Sequence, residues 1–437
     1  MSRPLNVDRY LTKRWPYGTA SLIYYVRPGG NDDNDGLTPA TAFATLERAL
    51  HFMAISDLNM PVIVDITGMT IDEDEVLNIG GNTLGGISFD LDLTATSPDN
   101  FFGRQHRQIR AEPQLVQALD VTNQTFDPIN GMLTITVSDA LVANALRGRF
   151  AIGAGLGEYG VIASNTGGAG PNTIEVANVV GAPMTLPIGA YGTGATLRYG
   201  DAANFFEQSI YLNALCDWNI QGIELARKDG KATAISVWPQ APVSLTLCTV
   251  NGIQVESGAT ITLDGCYFVG SFIQDGSTAR VFQSVFFGVD FLCHGSGDSG
   301  LNEWVGNVFD GCSAFGGGNL ESRYTFQMDD CRFDNAIGSA IEVLFGLSRI
   351  IDTVIDNSAL SAISVTNGAQ VMLDNVQGTG NADYGLTMNY GAFARPFNGT
   401  AVTGGIGDIE LSPTFGAPVT WGALPLTEGD YLDRAGV

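Results

Sequence analysis

The stretch that decides the fold begins Leu247-Cys248-Thr249-Val250-Asn251-Gly252 and returns as Gly265-Cys266-Tyr267-Phe268-Val269-Gly270. Further copies stand at Ser284-Val285-Phe286-Phe287-Gly288, Asn307-Val308-Phe309-Asp310-Gly311 and Asp330-Cys331-Arg332-Phe333-Asp334-Asn335. Asp352-Thr353-Val354-Ile355-Asp356-Asn357 and Asp374-Asn375-Val376 complete the series. Aligned on Val250, Phe268, Phe287, Phe309, Phe333, Ile355 and Val376, the copies recur every 18 to 24 residues. A second short strand follows most of them, at 253–255, 272–273, 291–293, 341–343, 363–365 and 386–388. Glycine turns then close the coils at Gly258, Gly276, Gly295, Gly346, Gly368 and Gly391. A period in this range marks a solenoid or a propeller. Several short strands per period, separated by Gly, Asn and Asp turns, select a β-solenoid over helical repeats. The expected fold is all-β: a right-handed parallel β-helix.

Side chains alternate along a strand, so Cys266 and Phe268 point inward while Tyr267 points out. On the same reasoning Phe287 joins the inner column, and Tyr267, Phe286 and Val308 form an apolar outer stripe. A stripe of that size needs a cover. A symmetric partner chain is the first candidate, ahead of a loop of the same chain or a platform for stacking sugars.

Composition narrows the partners. The 437 residues carry a net charge of −25, which argues against nucleic acid, whose phosphates require a basic surface. No run of 18 apolar residues exists, so no membrane insertion is expected. The first ten residues contain no apolar signal core, which argues against Sec export. None of the six cysteines forms a CxxC pair, which disfavours zinc. Cys248, Cys266 and Cys331 recur at one position of the repeat. On adjacent coils about 4.8 Å apart the first two approach disulfide range, but buried free thiols are the favoured state.

Upstream, residues 24–50 contain Tyr24-Tyr25-Val26-Arg27-Pro28-Gly29-Gly30-Asn31-Asp32-Asp33-Asn34-Asp35-Gly36-Leu37-Thr38-Pro39-Ala40-Thr41-Ala42-Phe43. This reads as a strand, a turn rich in Asn, Asp and Gly, and a short capping helix. Thr41 is placed as its cap, and Phe43, Leu46, Ala49 and Leu50 as its buried face. The acidic turn lacks the loop-closing Glu of an EF-hand, Ala42 standing there, so Asx turns are expected rather than calcium. This opening, with the coils downstream, resembles pectate-lyase-like right-handed parallel β-helix proteins, a family frequent among bacteriophage tailspikes and virion spikes. The resemblance covers roughly 20–95 and 205–395.

The expected organisation is an N-terminal attachment segment (1–22) and a β-helix start with its capping helix (23–107). An inserted small antiparallel β-module (108–200), parallel coils (201–395) and an irregular tail (396–437) follow. Candidate catalytic residues are Asp330, Asp334, Asp352, Asp356 and Arg332, with Asp329, Glu342 and Arg349 near them. Carboxylates one or two coils apart meet the spacing a glycosidase needs. Against that, Asp and Asn at bends commonly bond backbone amides, and turn chemistry is the favoured reading. Tyr267, Phe286, Trp304 and Arg332 are the candidate glycan- or subunit-contacting residues. No cofactor and no metal are expected. The resemblance implies a homotrimeric spike on a virion surface, bound to other virion proteins and to host-surface glycan. The alternatives are a polysaccharide lyase or glycosidase of the same shape, or a purely structural head or baseplate protein.

Overall fold

An apolar ladder on one face of a strand stays out of water only if each coil lies on the next. The computed structural model has this arrangement. It describes residues 22–55, 62–73, 77–79, 83–84, 87–88, 105–127, 131–177, 183–199, 210–212, 216–227, 235–237, 242–256, 258–294, 302–313, 326–389 and 391–411. The expected attachment segment up to residue 21, and the tail from residue 412, lie outside these.

Three walls of parallel strands wind into a β-helix. The first wall is a 12-stranded sheet from Leu22–Tyr25 through Val62–Asp65, Gln105–Arg110 and Cys216–Gln221 to Phe393–Phe397. The second runs from Thr70–Glu73 through Ala195–Tyr199, Tyr267–Asp275, Val285–Phe287, Val308–Asp310, Arg332–Asp334 and Val354–Asp356 to Ala401–Gly404. The third is separate in the last coils, as Ile341–Val343, Ile363–Val365, Tyr384–Met388 and Gly407–Leu411.

Left-handed corner residues bracket the second wall. Gly265 and Gly270, Gln283 and Gly288, Gly306 and Gly311, Asp330 and Asn335, and Asp352 and Asn357 all have positive φ. Between each pair lies an arc of four residues whose first and third side chains are buried: Cys266 and Phe268, Ser284 and Phe286, Asn307 and Phe309, Cys331 and Phe333, Thr353 and Ile355. Phe268, Phe286, Phe309 and Phe333 stack in one column, with ring centroids 4.8, 5.0 and 4.2 Å apart and planes within 10° of parallel. Here one expectation fails. Phe286, not Phe287, occupies the column, because the corners at Gln283 and Gly288 fix which residue is third in the arc. Phe287 is exposed. Cys248, Cys266, Cys312 and Cys331 are free and buried, and the Cys248 and Cys266 thiols donate to strand carbonyls at 3.4 to 3.6 Å.

The capping helix spans Leu46–Ile55 with Leu46, Ala49 and Leu50 as its buried face, while Phe43, expected on that face, is buried ahead of the helix in a bridge with Val26. Thr41 does not cap it. Thr38 caps a 3-10 turn at Pro39–Thr41, while the Thr45 hydroxyl accepts from the Arg48 amide at 3.2 Å. Asp32 accepts from the Ala44 and Thr45 amides, and Asn31 and Asp35 close Asx turns on Asp33 and Leu37. The acidic run is thus turn chemistry.

Asp65 ties the first coils together. Its buried carboxylate pairs with Arg27 at 2.8 Å and Arg110 at 3.2 Å. Burial alone would raise its pKa, but bonds from Thr67 and Arg27 outweigh that and lower it. A depressed carboxylate stabilises the fold above its unfolded value near about 4 and loses that contribution as pH falls through the folded value. Asp65→Asn should cost about 1–3 kcal/mol, the partners being partly solvated. Urea melts of the variant at pH 7 and pH 3 measure this, with the difference from wild type shrinking in acid.

Between the first and later coils the chain builds a seven-stranded antiparallel sheet from Gln114–Leu119 to Ile188–Gly192. Its two outer strands, Gln114–Leu119 and Val121–Asp127, form one run that bends at Asp120. The sheet therefore curls around its own core of Leu133, Ile135, Ile162, Ile174, Val176 and Ile188. Strands Gln105–Arg110 and Ala195–Tyr199, which overlap the expected limits of the insertion, belong to the solenoid walls. The coils also continue past residue 395, since Ala401–Gly404 and Gly407–Leu411 extend the second and third walls.

Candidate functional site

The outer stripe has its cover. Leu247, Val285 and Val308 share a buried cluster with Met132, Phe150, Val161, Ala163 and Ala177 of the inserted module, with Tyr159 and Tyr267 packed against it. The partner-chain expectation for this stripe is thus overturned. The module's own outer face is apolar where it meets the coils. Two tyrosines interlock the surfaces: a Cβ on Gly148 would strike the Tyr267 ring, and one on Gly265 would strike the Tyr159 ring, each at 2.7 Å. The Tyr159 hydroxyl donates to Asp264 at 2.8 Å. Arg147 pairs with Asp310 at 3.0 Å and lies over the Phe287 ring at 4.3 Å. Arg332 bridges Glu175 of the module, at 3.4 Å, and Asp334 of its own coil, at 3.2 Å.

These contacts revise the candidate surface residues. Phe286 and Trp304 are fully buried in the solenoid core, so neither presents a surface for glycan or a second chain. The one-residue shift at Gln283 turns Phe286 inward. Trp304 alternates inward on the first wall, packing edge-on to Phe272. Tyr267 lies under the module, and burial raises its phenol's pKa. Arg332 is the surface candidate that remains, with its guanidinium held between two carboxylates.

Four of the five catalytic candidates fall into two rows at the corners of the second wall, while Arg332 lies within its arc. Asp334 and Asp356, with Asp310, are the last residues of their arcs, next to the following corner. Asn335 donates to Asp310, Asn357 to Asp334, and the Thr379 amide to Asp356, at 3.0, 3.0 and 2.8 Å. Each carboxylate bonds a group on the following coil, as turn chemistry requires. Asp330 and Asp352 stand in the row before the arc and have left-handed φ of 52° and 43°. Asp329 joins them, and one carboxylate oxygen from each of the three lies within 4.8 Å of the other two. Asn375 continues this row, donating to Asp352 at 2.7 Å, and Asn398 donates to Asp374 at 2.6 Å. Glu342 lies on the third wall, where burial raises its pKa. Arg349 reaches Asp374 at 3.9 Å.

Electrostatics singles out Asp329 and Asp330. Burial, reinforced by the charges of Asp330 and Asp352, pushes Asp329 up to about 7. Burial and Asp352 push Asp330 up to about 6. Carboxyls whose pKa burial and neighbouring charge raise toward neutrality are groups that acid–base chemistry uses. Three converging carboxylates also suit a hard divalent cation, which takes its remaining oxygens from bidentate contacts and from water. The sequence placed Asp329 beside Asp330 but gave no sign that the module would border them. Gly131 does so: a Cβ there would lie 3.2 Å from the Asp330 carbonyl oxygen.

The geometry defines a parallel β-helix carrying an inserted antiparallel β-module on its flank. No family model matches the sequence, and no curated protein matches it. Among solved structures, pectate lyase Pel9A aligns at a TM-score of 0.29 and 10% identity, over 88% of this chain and 79% of that one. The tailspike protein gp49 from Pseudomonas phage LKA1 aligns at 0.25 and 11%, over 89% and 81%. A glycoside hydrolase aligns at 0.24 and 10%, over 90% and 97%. None of these similarities assigns an activity to this chain.

Proposed function

We propose that the chain is a spike of a phage or phage-like virion whose solenoid flank contacts host-surface polysaccharide. The observation that carries this reading is the pair of corner rows, in which carboxylates and amides repeat at the coil pitch: Asp310–Asn335, Asp334–Asn357, Asp352–Asn375 and Asp374–Asn398. Planar carboxylates and amides are the groups that pair with vicinal hydroxyls, and a row stepping by about 4.8 Å can track an extended sugar chain. In this reading the protein is a homotrimer on the virion surface, joined to other virion proteins. The outer face of the first wall supports self-association, since Leu347, Arg349, Ile351, Met372 and Arg395 mix apolar and arginine side chains as interfaces do. Among the described residues no helix is long and apolar enough to cross a membrane.

A second reading, a polysaccharide-cleaving enzyme, is favoured by one observation: the raised pKa values of Asp329 and Asp330 beside Asp352. Incubation with isolated host capsule decides between the two. Binding without new reducing ends or unsaturated uronates is expected. Release of either product, abolished by Asp330→Asn or Asp352→Asn in protein that still folds, would replace adhesion with catalysis. Absence of binding to any capsule would remove both and leave a structural role.

A further inference from the structure

One outward position of the second wall changes character along the solenoid. Phe287, Asp310 and Asp334 occupy it on three successive coils. Phe287 is the one aromatic ring among the exposed large apolar side chains of the described residues. The two aspartates sit in matching cradles. One oxygen of Asp310 accepts from Arg147 of the module and the other from Asn335 of the next coil, each at 3.0 Å. Asp334 accepts in the same way from Arg332 at 3.2 Å and from Asn357 at 3.0 Å. Both arginines are themselves held. Arg147 donates to the Ala163 carbonyl at 2.9 Å, and Arg332 to Glu175 at 3.4 Å, whose other oxygen accepts from the Ser164 hydroxyl at 2.7 Å. The module thus supplies one side of the first cradle and steadies the second.

We infer that the seam between module and solenoid binds a neutral polysaccharide lying along the solenoid axis, with Phe287, Asp310 and Asp334 as three consecutive sugar subsites. This rests on the reading of the chain as a spike that contacts glycan. A pyranose ring has an apolar face of C–H groups, and stacking on Phe287 removes both surfaces from water. Each cradle one coil further on offers the remaining lone pairs of a carboxylate and the carbonyl oxygen of an asparagine. These are acceptors for a pair of vicinal hydroxyls. The coil pitch of about 4.8 Å is close to the length of one sugar residue, so consecutive rings meet the three positions in turn. The bonds that fix each carboxylate are made within the protein, so little side-chain freedom is lost on binding. Charge sets the class. Arg147 and Arg332 are already matched by carboxylates, and a uronate or phosphate would meet Asp310 and Asp334 on a chain of net charge −25. Hydroxyls carry no such penalty.

Interferometry on the full chain tests this, with two sets of immobilised capsular polysaccharides of known composition, one neutral and one uronate-bearing. Wild type should bind a neutral polymer and hold uronate-bearing ones at least about tenfold more weakly. Phe287→Ala and Asn357→Ala, both at exposed positions, should each weaken binding by about tenfold, the loss of one good contact. Phe287→Trp should keep wild-type affinity, as should Leu156→Ala on an exposed loop of the module. Bound polymer should slow amide exchange at residues 145–149 and 287–290. Wild-type affinity in both alanine variants would overturn the site and leave the spike reading standing. A preference for the uronate-bearing set would overturn the neutral class. Binding to neither set would remove the spike reading, and this site with it.

Discussion

Phe286→Ala is expected to destabilise the protein by about 3–5 kcal/mol, the range for removing a buried aromatic ring from a core that cannot close around the gap. Its ring stacks between Phe268 and Phe309 at 4.8 and 5.0 Å, with Phe291 at 5.4 Å and Trp304 at 5.7 Å. The backbone on both sides is pinned by corners at Gln283 and Gly288. The ladder above and below holds the walls apart, so relaxation into the cavity is limited. Phe287→Ala is the control that gives the experiment its meaning. That ring is exposed and contacts Arg147, a cation–π interaction at such a site contributing at most about 1 kcal/mol. Chemical denaturation of the two variants should separate them by several-fold in lost stability. Equal losses would mean that the neighbouring phenylalanines are interchangeable and that the column is misregistered at this coil.

Val308→Asp should produce the second large effect, by a different route. Val308 is buried between the solenoid and the module, and an unpaired carboxylate there costs about 3 kcal/mol or more. The module has its own core and can escape that cost by leaving the flank. The loss is therefore capped by the free energy of docking. The expected result is a solenoid that still melts cooperatively, with an earlier transition for the module, easier proteolysis near residues 112–114 and 193–194, and self-association through the bared stripe. Val354→Asp supplies the comparison. It occupies the same outer column beyond Arg332, is only half-buried, and should shift stability by less than about 1 kcal/mol. A single unchanged transition in Val308→Asp would mean that the apolar seam does not hold the module.

Much of the architecture was legible because a β-solenoid writes its period into the chain. Cys266, Phe268, Phe309 and Phe333 sit where alternation places them. The same rule failed at Phe286 because two adjacent aromatics satisfy alternation equally well in either register. The better signal was spacing between corners. A left-handed residue stands five positions before its partner at Gly265 and Gly270 and again at Asp330 and Asn335. Gln283 hid that signal, since glutamine does not announce positive φ as Gly or Asn does. Asp334 and Asp356 were legible as turn residues. The grouping of Asp329 with Asp330 and Asp352 was half legible, since the sequence gives neighbours but not which oxygens converge.

By itself the sequence determined the coil, its inward column except at Phe286, and the presence of an antiparallel insertion, because each depends on residue order within a few strands. Only the tertiary structure decided what covers Tyr267, Val285 and Val308, and that Arg147 meets Asp310 and Glu175 meets Arg332. The reason is one of range. Backbone geometry and alternation act between neighbours in the chain. Docking of the module joins residues more than a hundred positions apart through shape and burial, for which local pattern carries no code.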